Sequence, residues 1–591
     1  MAGILDRYQD ALLLSLQGAD HFQLAPPSGD REAWAHLDPV RRSQWMRAAD
    51  RAAGQLAPLT IADYLGDADG YARACFERRD ALFALALGLC AAGDDRYAPA
   101  LAELIWAILG EPCWTLPATA LLSPDGLPLP DPAAPLVDEA AALTAGHLAM
   151  AAQLAGGPLN RCAPGLLRMM EWEALRRVVA PFLAVPDMGW MRGPRGGALR
   201  CLSGVTMAFL TFERDDRRRW QCMRKAWQLL GSLLKFLAPD GGVLSGLESW
   251  QQIAGNVTDL LYMVRAASGG EVDARREPTF GRLARFPALC HIAGGWFFNP
   301  GERSMRPALD GAEVFRIGML AQDAAVCDLG AYLSMEGSAG SAFDSVLREA
   351  QRALNDEALL AGPFEPQRPI QAYLPTLEYM IARWTDASDE GPILAAHGGD
   401  NGVVDGHLDV GDALVFFGGQ PALIDAGCLP GTDRHNLPTV GGWGQGAGEA
   451  FRAEDVSCRL ERDYAMLSMN LARAYPDEAG VFSWQRTALL TRADKSVQIM
   501  DLFDLRQPAD VAFHFLMPEK PSLGEKYAQL GAVRLRWEEE LDATLEEISL
   551  PAEGGCSPWG GAVYCLTLAT RGPVKGGRYG FTLKEIRTYG T

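Results

Sequence analysis

Met223, Trp227, Leu230, Leu234 and Leu237 recur at steps of four, three, four and three, which places all five on one face of a helix. The stretch Ala238-Pro239-Asp240-Gly241-Gly242 then removes a backbone donor, supplies turn conformations and ends the element. Similar spacing predicts helices at roughly 70–91, 97–109, 134–155, 166–184, 250–267, 341–354 and 371–384. From about residue 40 to 385 the texture is Ala/Leu-rich, broken by Pro and Gly, as antiparallel helices joined by short loops require. A toroid of helical hairpins uses that pattern, and so does an α-solenoid; no fixed-period repeat favours the solenoid.

After about residue 386 the period changes to that of strands. Ala413 to Phe417, Gly418-Gly419 and Pro421 to Ile424 read as a hairpin, and Arg486 to Thr491 with Ser496 to Leu502 reads as another. Val533 to Trp537, Ala562 to Thr570 and Tyr579 to Lys584 continue the β texture. The expected fold class is therefore α+β multidomain, with an N-terminal (α/α) toroid over 1–385 and a C-terminal antiparallel β-sandwich over 386–591. Asp386 to Gly391 has the polar, glycine-bearing character of a linker.

Composition narrows the function classes. At 591 residues the chain exceeds what one hydrophobic core supports, and 48% hydrophobic with 22% charged residues is ordinary for a globular protein. The net charge of -20 disfavours a broad electrostatic grip on nucleic acid or an anionic membrane. The run Ala81 to Ala92 is too short to span a bilayer, and Asp6, Arg7 and Asp10 interrupt what a secretion signal would keep apolar. Twelve Cys without a CxxC pair read as reduced, buried thiols and point to the cytoplasm. The triplet Arg217-Arg218-Arg219 at a helix start reads as a solvated face.

Candidate chemistry gathers in the C-terminal part. His407 follows the glycine-bearing His397-Gly398-Gly399-Asp400-Asn401-Gly402, Asp425 closes the second strand of the first hairpin, and His435-Asn436 comes ten residues later. Two imidazoles and a carboxylate form a nitrogen/oxygen set suited to zinc, with water as a fourth ligand. On spacing alone, polar side chains satisfied beside a turn are the better explanation.

The order of these segments resembles the heparinase II/III-like polysaccharide lyases. His397 to Gly427 carries Gly-Gly-Asp-Asn-Gly, His407-Leu408-Asp409-Val410-Gly411 and Leu423-Ile424-Asp425-Ala426-Gly427. His435-Asn436-Leu437-Pro438, Ala474-Tyr475-Pro476, Trp484-Gln485-Arg486 and His514-Phe515 extend the similarity, as do Glu111 to Pro117 and His291 to Asn299 in the N-terminal part. The resemblance implies an incomplete (α/α) toroid followed by a β-sandwich. It also implies a zinc ion on His407, Asp425 and His435 that mainly holds cleft-facing loops in place.

The sequence departs from that family where the chemistry would lie. Its Asn- or His-bearing stretch aligns with Arg195-Gly196-Gly197, its Tyr base with Ser249, and a further His with Asp405. Only nine residues separate Asp425 from His435, where the family has a longer loop.

Arg195, Glu248 and Asp405 are the replacement candidates. Arg195 would clamp a substrate carboxylate, and the two carboxylates could flank a glycosidic bond as acid and base. Trp114 and Trp250 are preferred over Trp190 and Trp296 as sugar-stacking platforms. The resemblance implies β-elimination on an acidic, uronate-containing oligosaccharide. A glycoside hydrolase using Glu248 and Asp405, and a non-catalytic carbohydrate-binding protein with a structural zinc, are the alternatives. No nucleic-acid or membrane partner is expected, and a homo-oligomer is compatible with the sequence.

Overall fold

The computed structural model describes the chain apart from residues 1–11, 13–14, 55–57, 121–125, 193–195, 236, 274, 276, 301–302, 336–344, 362–364, 387, 403–405, 552–553 and 587–591. It separates into two compact units. The first comprises 1–237, 251–281 and 310–364; the second comprises 238–250, 282–309 and 365–591.

Helices build the first unit, and capping side chains start them. Asp38, Thr60, Asp67, Asp138, Asp215, Asp310 and Ser345 each accept from a backbone N–H of the first turn, satisfying donors the helix itself cannot reach. The principal helices are Pro39–Ala52, Ala68–Ala92, Ala98–Leu109, Glu139–Cys162, Gly196–Phe212, Asp216–Leu234, Gly246–Ala267, Gly311–Ala321, Ala324–Met335 and Val346–Leu354. The predicted 166–184 helix is present with one wide π turn at Leu175–Val179. Close packing depends on glycine: a Cβ on Gly204 would collide with the backbone of Ala142 in the neighbouring helix. The helical unit is of the expected (α/α) toroid type.

Arg219 corrects one expectation. Arg217 and Arg218 are exposed, but Arg219 is only 1% exposed. It lies one turn before Met223 and prolongs the stripe Cys222, Met223, Ala226, Trp227, Leu230 and Leu233 that the helix buries. Burial lowers its pKa to about 10.

Every strand pair of the second unit is antiparallel among the described residues. Its three main sheets have eight, five and four strands. Leu467, Trp484 and Ile499 of the largest, Met380, Leu394 and Val415 of the five-stranded, and Phe513, Phe515 and Leu566 of the four-stranded sheet share one buried core. The predicted hairpins fall within Ala413–Phe417/Gln420–Leu423 and Val481–Thr491/Ser496–Ala509.

The helix expected at 371–384 is instead the hairpin Gln371–Leu374/Tyr379–Arg383 at the edge of the five-stranded sheet. Pro375 and the left-handed Glu378 (φ 56°) break any helix there, and Tyr379–Arg383, buried at every position, behaves as a covered strand rather than an amphipathic turn. The chain accordingly divides near 364 rather than 385. Two earlier segments, 238–250 and 282–309, also join the β unit.

Candidate metal centre and active site

His407 lies in the loop before strand Ala413–Phe417, Asp425 two residues beyond strand Gln420–Leu423, and His435 directly after the short helical turn Thr432–Arg434. Local bonds fix these loops to one another. Leu408 N–H donates to Pro430 O at 3.0 Å and Thr432 Oγ1 to Leu408 O at 3.0 Å, while Gln445 pairs with both backbone groups of Val410. Asp425 Oδ1 accepts from Gly427 N at 2.8 Å, a turn that Gly427 permits by its φ of 74°.

The result is a buried group of four potential ligands, His407, Asp409, Asp425 and His435, whose ligand atoms all lie within 4.8 Å of one another. His407 Nδ1 and His435 Nδ1 stand 3.5 and 3.8 Å from Asp425 Oδ1. Two ligands bound to one tetrahedral ion at about 2.0–2.1 Å are roughly 3.3–3.4 Å apart, so the spacing fits a shared cation. Both nitrogens of both imidazoles are buried without a hydrogen-bond partner within the protein. Four orphaned nitrogens beside carboxylates are costly unless something charged joins them.

Electrostatics points the same way. Burial alone would raise the Asp425 carboxyl, yet His407 and His435 hold it below the usual range. Burial would lower His435, but Asp425 and Asp412 drive it up to about 9, so the pocket draws positive charge. The three residues expected from the sequence are thus brought together, and Asp409, the third residue of the H-x-D segment, joins them.

A second cluster adjoins Asp409. Tyr379 and His397 are register partners on neighbouring strands, with ring centroids 5.8 Å apart, and Phe298 packs against both at 5.0 and 6.0 Å. His397 Nδ1 is 3.0 Å from Gly398 O and therefore carries the proton there. Its Nε2 has no hydrogen-bond partner and lies 3.9 Å from Asp409 Oδ2. Burial, reinforced by Asp409, pushes the Tyr379 phenol far up and Arg303 opposes that shift, so Tyr379 remains a proton donor. No local sequence motif pairs these two rings; strand register does.

Of the residues offered for catalysis, Glu248 is half-buried in the first turn of Gly246–Ala267 and accepts from Asn299 Nδ2 at 3.3 Å. Asn299 also braces that turn through Leu247 N at 3.1 Å. Arg195 and Asp405 lie outside the described residues.

The two preferred tryptophans are corrected by their burial. Trp114 is 2% exposed, donates to Ile108 O and has Arg177 over its ring at 4.8 Å. Trp250 is 0% exposed and donates to Leu283 O at 2.6 Å. Neither presents a face to a sugar. Trp190 instead lines an open groove of about 700 Å3 in the helical unit with Asp138, Glu139, Asp187, Arg192 and Gly197.

The loop after Asp425 carries a covalent tie. Cys428 is disulfide-bonded to Cys556, 128 residues on, and Trp559 Nε1 donates to Ala426 O at 3.2 Å. The expectation of reduced thiols throughout fails at this pair, and with it the ground for a cytoplasmic location. Cys428 lies in a loop and Cys556 in the short 3-10 helix Gly554–Trp559, far apart in sequence, so only folding reveals their 5.5 Å Cα separation. No helix among the described residues is long and apolar enough to cross a membrane.

No protein-family model matches the sequence, and no curated protein matches it by sequence. Solved structures do match. A heparinase III superposes with a TM-score of 0.65 at 12% identity, covering 93% of this chain and 84% of that one. The chain has the fold of polysaccharide lyases. The heparan sulfate lyase from Pedobacter heparinus matches that lyase fold with a TM-score of 0.63 at 13% identity, over 99% of this chain and 88% of its own. The chondroitin AC lyase from Streptomyces coelicolor, solved in complex with chondroitin sulphate, gives 0.56 at 12% over 99% and 83%.

Proposed function

We propose that this protein is a carbohydrate-active lyase that cleaves an acidic, uronate-containing oligosaccharide by β-elimination. The observation that carries the reading is the lyase fold along nearly the whole chain, helical and β parts together. The residues of the second unit supply the chemistry. His397 Nε2, its lone pair unused, removes the proton on the carbon bearing the carboxylate. The Tyr379 hydroxyl gives its proton to the leaving glycosidic oxygen as that carbon–oxygen bond breaks and the double bond forms. Arg303, a half-buried cation whose charge opposes the upward shift of the Tyr379 phenol, is the residue we assign to neutralise the substrate carboxylate and so make the adjacent proton acidic.

Zinc is proposed for His407, Asp409, Asp425 and His435, on the strength of their orphaned nitrogens and spacing. Bound there, it would supply fixed positive charge and hold the two histidine-bearing loops together. No step of the elimination passes through it.

The test is incubation with a panel of uronate-containing oligosaccharides, followed by ultraviolet absorbance of the new conjugated double bond and by reducing ends. Both signals are expected together. Tyr379→Phe and His397→Ala should each lower kcat by about a hundredfold or more with the melting temperature held. Reducing ends without absorbance would instead mark hydrolysis involving Glu248, and saturable sugar binding with neither signal a non-catalytic binder.

A further inference from the structure

A cavity of about 200 Å3 in the helical unit has an arginine-rich lining. Thr258, Tyr262 and Arg265, on the C-terminal half of Gly246–Ala267, face Arg275, Arg316, Gln351 and Asn355, with Met319, Leu320 and Leu354 completing the wall. Three arginines line it and no carboxylate does. The acids nearest in charge are already engaged: Glu313 chelates Arg316 at 2.7 and 2.9 Å, and Asp273 pairs with Arg275. Arg265 is the cation of the lining left without such a chelating carboxylate among the described residues.

Three donors remain unused. Arg316 Nη1 donates to Gln351 Oε1 at 2.6 Å, and because a guanidinium can only donate, this fixes the amide with its oxygen on the arginine and its NH2 turned away. Gln351 Nε2 has no partner although the residue is 5% exposed. Thr258 Oγ1 is likewise unpartnered at 1% exposure, and so is the buried Nε of Arg265. Thr258, Gln351 and Arg265 all line the cavity and each keeps one buried donor unsatisfied, a cost that an acceptor-rich anion seated there removes once these side chains turn towards it.

We infer that this cavity binds the carboxylate or sulfate group of a small anionic molecule through Arg265, Thr258 and Gln351. Charge comes chiefly from Arg265: Glu313 and Asp259 hold Arg316, Asp273 holds Arg275 directly, and Arg265 feels Asp273 only as a weaker, unbonded neighbour. The volume exceeds several waters of about 30 Å3 each and leaves space beyond a bare oxyanion, which suits a sugar acid. This site rests on its own donor set and does not depend on the lyase reading.

Calorimetric titration of the full chain with sodium sulfate, inorganic phosphate, glucuronate and neutral glucose, at ionic strength fixed with sodium chloride, tests it without turnover. Saturable binding of at least one anion, with none for glucose, is expected. Tighter binding of glucuronate than sulfate assigns the site to a sugar acid; equal or weaker binding assigns it to a bare oxyanion. Arg265→Gln and Thr258→Val should weaken binding tenfold or more, and Gln351→Glu should abolish it by placing a carboxylate against the anion. Melting temperatures of the three variants report folding. Absence of saturable anion binding by the native protein, or unchanged affinity in folded Arg265→Gln, overturns the inference.

Discussion

Arg486 Nη1 donates to the backbone carbonyl of Asn436 at 2.6 Å, from a strand of the eight-stranded sheet to the residue that follows His435. Asp501 holds the same guanidinium in a two-point pair at 2.9 Å, and Trp484 Nε1 donates to Asp501 Oδ1 at 2.8 Å. Asn436 in turn donates to Asp412 and Ile424 and accepts from Leu516 N. One buried arginine thus orients a segment shared by three sheets. Arg486→Met would leave Asp501 a buried, uncompensated charge and is expected to cost about 3–5 kcal/mol in a denaturant titration. Pairing it with Asp501→Leu should recover much of that loss, because no charge is then stranded.

The four-residue centre predicts metal content. Elemental analysis of the purified protein should find about one zinc per chain, falling sharply in a His407→Ala, His435→Ala double variant. Chelation should lower the melting temperature of the native protein and leave that of the double variant unchanged. A metal-free protein of undiminished stability would remove zinc from the description.

Cys428–Cys556 closes a loop of 128 residues in sequence. In the chain-entropy account, a crosslink of that span stabilises by up to about 5 kcal/mol. A Cys428→Ser, Cys556→Ser variant should therefore unfold at a clearly lower denaturant concentration, and reductant should shift the native protein the same way without affecting the variant.

His147, buried with Phe83 against its ring at 5.8 Å, supplies a pH dependence. Burial, aided by Arg79, lowers its pKa from 6.5 to about 4. The unfolded chain therefore binds a proton that the folded chain rejects, and stability falls as pH drops from 6.5 towards 4 and is flat above 6.5. The shift corresponds to at most about 3 kcal/mol. His147→Leu should flatten that part of the denaturation midpoint against pH; an unchanged slope would locate the acid sensitivity elsewhere.

Much of the fold and part of the site were legible before folding was considered. The stripe from Met223 to Leu237 and the glycine-linked strands around Gly418-Gly419 depend on neighbours a few residues apart, so their periods survive in the sequence. His407, Asp425 and His435 could be read together because a chain of short segments in fixed order surrounds them. The burial of Trp114 and Trp250 could not, since an indole has the same sequence signature on a cleft wall as in a core.

The sequence by itself determined the change from helical to strand texture and the residue types that His407, Asp425 and His435 bring to the candidate metal group. Only the tertiary structure decided that 371–384 is a hairpin, that Tyr379 meets His397, that Cys428 reaches Cys556, and that Thr258, Arg265 and Gln351 line one cavity. Each of these is a contact between segments whose separation carries no period. It is fixed by register and packing, which local propensity does not encode.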